Sequence, residues 1–173
     1  MVNFNHLQVY VDKVNKSGIF RSEEGAATED NKKPTLANHV LLNEYLPGQG
    51  IMAHLDGPLF HPTISTISLG SHAVIKFYSE QKGDTEMTGA LGMEERLVTS
   101  LLVRPRSLLV LKDEMYTKYL HGIEETHEDE ITDKICNLTN CDIIGTKLPR
   151  TTRISLTIRH VPKTSKMKLK LGR

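Results

Sequence analysis

Cysteine is scarce in this chain of 173 residues: Cys136 and Cys141 are the only two. Two thiols do not make a disulfide scaffold, and no CxxC pair is present to begin a zinc site. Long hydrophobic runs are also lacking. None approaches the ~18 apolar residues of a membrane span, and the opening Met-Val-Asn-Phe-Asn-His has no signal-peptide core. These absences lead us to expect reduced thiols, a nuclear and cytoplasmic location, and unmodified asparagines at Asn15-Lys16-Ser17 and Asn137-Leu138-Thr139 despite their match to the glycosylation pattern. Net charge is nearly absent too, at +1 from 22 basic and 21 acidic residues.

That balance conceals a split. Residues 1–112 sum to −1, residues 113–133 to −7 and residues 134–173 to +9. The basic quarter raises the possibility of an anionic partner, while the acidic run after His121 is expected to lie near a pocket mouth and to repel one. Five of the positive charges fall in the tail 163–173, consistent with nuclear import or nucleic-acid contact, or with a solvated tail.

An apolar fraction of 38% and a charged fraction of 25% suit a globular domain. The apolar spacing of Leu7, Val9, Val11, Val14 and Ile19 predicts a short helix between His6 and Phe20, followed by a polar loop over 21–36. From His39 the texture is that of short strands between turns. The predicted strands are His39–Leu46, Thr63–Leu69, His72–Tyr78, Arg96–Val103, Ser107–Lys112, Tyr116–His121 and Thr151–Val161, with loops over Glu80–Glu94 and Glu124–Asp133. This pattern predicts a mainly β chain, a sandwich, barrel or jelly roll. The expected division is an N-terminal segment 1–38, a domain 39–162 and a basic tail 163–173.

Three groups of residues could carry chemistry. His54 and Asp56 have i, i+2 spacing, so on an extended segment both face one side and could share a metal ion. A facial 2-His-1-carboxylate iron(II) site needs a second histidine, and His121, followed by Gly122, is the best candidate. On the last strand Arg153, Ser155, Thr157 and Arg159 share one face. That face is either an ordinary solvated surface or an anion pocket, since guanidinium groups match carboxylates bidentately. Asn43 and Tyr45 likewise share one face of the first strand.

The order of these elements resembles the AlkB family of iron(II)- and 2-oxoglutarate-dependent dioxygenases, in the branch called AlkB homologue six. The resemblance is carried by Asn43-x-Tyr45, Pro47-Gly48, His54-x-Asp56-Gly57, Ser65-Thr-Ile-Ser-Leu-Gly70, His121-Gly122 and Arg153-x5-Arg159, and extends from about His39 to Pro162. It implies a double-stranded β-helix (jelly roll). It implies His54, Asp56 and His121 as catalytic iron ligands. It implies a 2-oxoglutarate site of Asn43, Tyr45, Arg153, Ser155 and Arg159, with Tyr45 and Arg153 at the distal carboxylate and Asn43 and Arg159 near the chelating one. Ser155 stands where the bacterial archetype has asparagine. Members carry lid elements before the Asn-x-Tyr strand, where this chain has 38 residues. The implied activity is oxidative dealkylation of nucleic-acid bases, with 2-oxoglutarate and dioxygen consumed, by a monomer that has no membrane partner. The alternatives are a dioxygenase of proteins or small molecules, and a catalytically impaired short form acting as a binding module.

Overall fold

The computed structural model describes residues 4–20, 35–80 and 92–162. Most of the expected loops 21–36 and 80–94, and the basic tail, lie outside the described residues. Two four-stranded antiparallel sheets face each other. The major sheet has the order β1-β10-β3-β6 and the minor sheet β2-β7-β4-β5. The strands are β1 (His39–Tyr45), β2 (Ile51–His54), β3 (Thr63–Gly70), β4 (Ala73–Ser79), β5 (Leu97–Val103), β6 (Leu108–Lys112), β7 (Tyr119–Ile123), β8 (Glu128–Glu130), β9 (Lys147–Pro149) and β10 (Arg153–Arg159). Strands β8 and β9 form a separate antiparallel pair. The mainly β jelly-roll expectation therefore holds.

Helix α1 (Phe4–Lys16) covers the outer face of the major sheet. Leu7, Val11 and Val14 recur at helical spacing, and they pack with Phe20 against Leu156 and Ile158 of β10. Val9, read with the apolar face, is instead exposed. Gly18, with φ of +77°, follows the helix in the left-handed conformation that closes many helices. Between the sheets lies a second cluster of Ala73, Ile75, Phe77, Val103, Leu111 and Ile123. A third, of Val74, Leu102, Ile131 and Ile135, covers the outer face of the minor sheet. The polar face of β10 is thus not a solvated surface: it points between the sheets while its apolar face meets α1.

Two expectations change. The strand predicted over Tyr116–His121 is split into a one-turn helix α2 (Asp113–Thr117) and β7. Asp113 and Glu114 supply the acidic first turn that favours a helix there, and the Lys118 amide donates to the Glu114 carbonyl. The acidic loop Glu124–Asp133 contains β8, and β2 was absent from the sequence reading. Both are only three or four residues long, too short for an alternating pattern to register.

The two asparagines of the glycosylation pattern act as backbone clasps. Asn15 Oδ1 accepts from the Ala37 amide at 2.7 Å, and its Nδ2 donates to the Ala37 carbonyl at 3.4 Å. Asn137 does the same to Leu102, at 2.9 Å each way. Asn15 ties the segment before β1 to helix α1, and Asn137 ties its loop to β5.

Candidate metal centre and anion pocket

Strand β2 delivers His54 and β7 delivers His121, which are direct partners in the β2–β7 ladder. Their ring centroids lie 4.6 Å apart. The strands can approach this closely because glycine stands at two positions. A Cβ on Gly122 would lie 2.9 Å from Ala53 N and Ile51 O, and one on Gly50 would lie 2.2 Å from the Ile123 carbonyl oxygen. Gly122 thus serves the approach of backbone to backbone.

Asp56 follows β2, with Oδ2 3.5 Å from His121 Nε2. One ligand atom from each of His54, Asp56 and His121 lies within 4.8 Å of the other two. His54 Nδ1 is 2.8 Å from the Met52 carbonyl, so the proton resides on Nδ1 and the Nε2 lone pair is left for a metal. Burial lowers the His121 pKa, with Asp56 opposing and His54 adding to the shift, which favours the neutral, ligating imidazole. Two imidazole nitrogens and a carboxylate form a donor set that suits iron(II).

The anion pocket is built in register across three strands. Tyr45, Arg153 and Gly70 stand abreast on β1, β10 and β3, as do Asn43, Ser155 and Ser68. Arg153 is only 4% exposed. Its guanidinium lies 5.4 Å from the Tyr45 ring centroid, and its Nη2 donates to Ser68 Oγ at 3.0 Å. Its Nε has no hydrogen-bond partner among the described residues. Among the described residues no carboxylate pairs with it, although burial, reinforced by Arg150, lowers its pKa against the opposing influence of Tyr45. A guanidinium is not deprotonated in a protein. A buried cation with an idle donor calls for an anion.

Arg159, six residues along the same strand face, reaches the metal cluster. Its Nη1 is 3.9 Å from Asp56 Oδ1. The residues proposed from sequence are therefore brought to one interior: the histidine–aspartate cluster beside Arg159, and Arg153 further along with Tyr45, Ser155 and Asn43. Asn43 and Tyr45 are half-buried, and Ser155 is buried.

Sequence reasoning missed four contributors. Ser68 lies within the quoted Ser-Thr-Ile-Ser-Leu-Gly stretch, but its bond to Arg153 depends on strand pairing. Tyr116 Oη donates to the Gly57 carbonyl at 2.5 Å and so fixes the loop that carries Asp56. His39 and Phe60 flank Arg159. Part of the acidic segment lies on the far side of the minor sheet. Ile131 packs with Val74 on the outer face of the minor sheet, whereas Ile75 and Phe77 face inward. Much of the segment is neutralised there: Glu124 pairs with Lys76, Glu128 with Lys147 and Asp129 with Arg150. Glu125, by contrast, lines a cavity with Tyr45, Gly48 and Gly50, so the first part of the run lies beside the β1–β2 turn.

A jelly roll whose interior joins two histidines and an aspartate to a buried arginine, with no carboxylate partner among the described residues, has the outline of an iron- and oxoacid-using oxygenase. Residues 10–159 match the model of the 2OG-Fe(II) oxygenase superfamily, and the chain belongs to that family. Within it the likeness is to AlkB-type proteins. The chain is 44% identical over 168 residues to the zebrafish (Danio rerio) protein named "Probable RNA/DNA demethylase ALKBH6", covering 95% of this chain and 65% of that one. It is 31% identical over 127 residues to "Uncharacterized protein L905" of Acanthamoeba polyphaga mimivirus, covering 73% of this chain and 49% of the other. The chain thus spans about half to two thirds of the length of these relatives. A solved structure described as "The structure of OsALKBH1" matches 92% of this chain and 64% of its own, with 16% identity and a TM-score of 0.48.

Proposed function

We propose that this chain is an iron(II)- and 2-oxoglutarate-dependent dioxygenase that oxidatively dealkylates nucleic-acid bases. The observation that carries the reading is Arg153, buried and with no carboxylate partner among the described residues, on the strand whose other end brings Arg159 to Asp56. A dicarboxylate answers both ends of that strand. One carboxylate is taken by Arg153, Ser68 and Tyr45, and the other lies near Arg159 and the metal ligands His54, Asp56 and His121.

Iron(II) held by His54, Asp56 and His121 would supply redox chemistry with dioxygen, one oxygen atom entering succinate as 2-oxoglutarate loses carbon dioxide and the other hydroxylating a substrate carbon. On an N-methyl group the hydroxylated product releases formaldehyde and leaves the free amine. The chain's own residues orient the co-substrate and shield it. Arg153 fixes its distal end at a place water cannot neutralise. The Met52 carbonyl holds His54 in the ligating tautomer. The nucleic-acid substrate is supported by the name of the zebrafish relative. Residence in the nucleus and cytoplasm belongs to the same proposal.

The test is anaerobic addition of iron(II) and 2-oxoglutarate to the purified chain. A metal-to-ligand charge-transfer band is expected, and should be lost in His54→Ala. Admitting air with an N-methylated single-stranded DNA or RNA oligonucleotide should then yield succinate and formaldehyde in equal amounts. Absence of the band in folded protein would refute the metal and co-substrate assignment. Succinate without formaldehyde would refute the substrate and leave the dioxygenase.

A further inference from the structure

Arg159 is held from two sides by residues outside the motif that contains it. His39 stands directly opposite it in the β1–β10 ladder. Arg159 Nε donates to His39 Nδ1 at 3.2 Å. Its guanidinium carbon lies 3.8 Å from the centroid of the Phe60 ring. Among the described residues the bond to His39 is the only hydrogen bond of the guanidinium. One donor and one face of the guanidinium are thereby committed, and the Nη edge is left turned toward Asp56, 3.9 Å away. That distance gives attraction without a hydrogen bond. The donors of that edge are therefore available to an arriving carboxylate.

We propose that His39 is a positioning residue for 2-oxoglutarate, holding the Nη edge of Arg159 toward the co-substrate carboxylate and away from a closed pair with Asp56. The proposal rests on the dioxygenase reading above. The physical need is plain. An arginine side chain loses rotamer entropy when ordered, and a carboxylate close by offers it a competing partner. Left free, the guanidinium would close on Asp56, and both the anion donor and a metal ligand would be diverted. Acceptance at Nδ1 requires the His39 proton to sit on Nε2, so the ring must be neutral. Burial, and then Arg159, lower its pKa in that direction. Phe60 blocks the remaining swing by stacking.

The test measures 2-oxoglutarate affinity by titration calorimetry on the full chain loaded with manganese(II), which needs no turnover. His39→Leu removes the acceptor and should weaken 2-oxoglutarate binding about tenfold, the scale of one hydrogen bond to a charged group. His39→Asn places an amide oxygen near the former Nδ1 and should restore affinity to within about twofold, a rescue that a purely structural role would not show. Equal affinity of wild type and His39→Leu would overturn the proposal, as would His39→Asn binding as weakly as His39→Leu. Should His39→Leu not fold, Phe60→Leu on the flanking loop carries the same expectation of loss, and an unchanged affinity there would overturn it. Failure of the wild type to bind 2-oxoglutarate would instead strike the dioxygenase reading itself, so the two failures are distinguishable.

Discussion

Arg150 grips Asp129 through two parallel bonds, Nε to Oδ2 at 2.8 Å and Nη2 to Oδ1 at 2.6 Å, with both side chains 5% exposed. The same guanidinium donates from Nη1 to the Glu124 carbonyl at 2.7 Å. Arg150 therefore ties the exit of β7, which carries His121, to β8 and to the segment leading into β10, which carries Arg153 and Arg159. His72 Nε2 lies 3.3 Å from Asp129 Oδ2 and joins the cluster from the start of β4.

Asp129→Asn should be strongly destabilising. It leaves the Arg150 cation buried without a counter-charge, for which the expected loss is about 3–5 kcal/mol. Urea denaturation followed by circular dichroism measures it. A loss below about 1 kcal/mol would show the pair to be solvated in solution.

The same carboxylate sets an acid limit. Burial pushes the Asp129 pKa up, but the hydrogen bonds and charge of Arg150, with His72 nearby, outweigh it and hold the value at about 2, against an ordinary 3.8. A folded-state pKa below the unfolded one gives stability that is present above about pH 3.8 and is lost as pH falls through 2. At 1.36 kcal/mol per unit its contribution is about 2 kcal/mol. Melting curves between pH 2 and 6 should show this loss in the wild type and lack it in Asp129→Asn.

Gly122→Ala should separate β2 from β7. Its methyl group would meet Ala53 N and Ile51 O at 2.9 Å, and backbone atoms have little room to yield. The expected cost is about 1–3 kcal/mol. Because His54 and His121 are ladder partners there, iron(II) affinity should fall more than melting temperature alone suggests. Metal titration beside thermal denaturation separates the two effects.

Tyr116→Phe removes the hydroxyl that binds the Gly57 carbonyl. The Asp56 loop would lose its fixed position, and iron(II) affinity should drop roughly 10–100-fold, the usual range for partners that orient metal ligands. Co-substrate affinity measured at saturating metal should change far less. Equal losses of both would point to a general disturbance of the fold.

Much of this protein could be read along the chain. Strands β1, β3, β4, β5, β6 and β10 lie within a few residues of their predicted positions, because each has a run of alternating or apolar residues closed by glycine, proline or a polar turn. The metal candidates were legible for a similar reason: i, i+2 spacing on an extended segment fixes sidedness without any knowledge of the fold. Short elements were not legible. Four residues in β2 and three in β8 hold too little pattern, and α2 was hidden by the apolar texture of the strand that follows it.

Sequence by itself determined which residues could share a face: Arg153 with Ser155 and Arg159, His54 with Asp56. A two-residue period is a local property of the backbone. Only the tertiary structure decided which face was interior, because that depends on α1 covering Leu156 and Ile158 from the other side. It also decided that Ser68 would meet Arg153, that His39 would stand opposite Arg159, and that Ile131 of the acidic run would pack behind the minor sheet. Those are consequences of strand register and layer order, set by contacts between residues far apart in the chain.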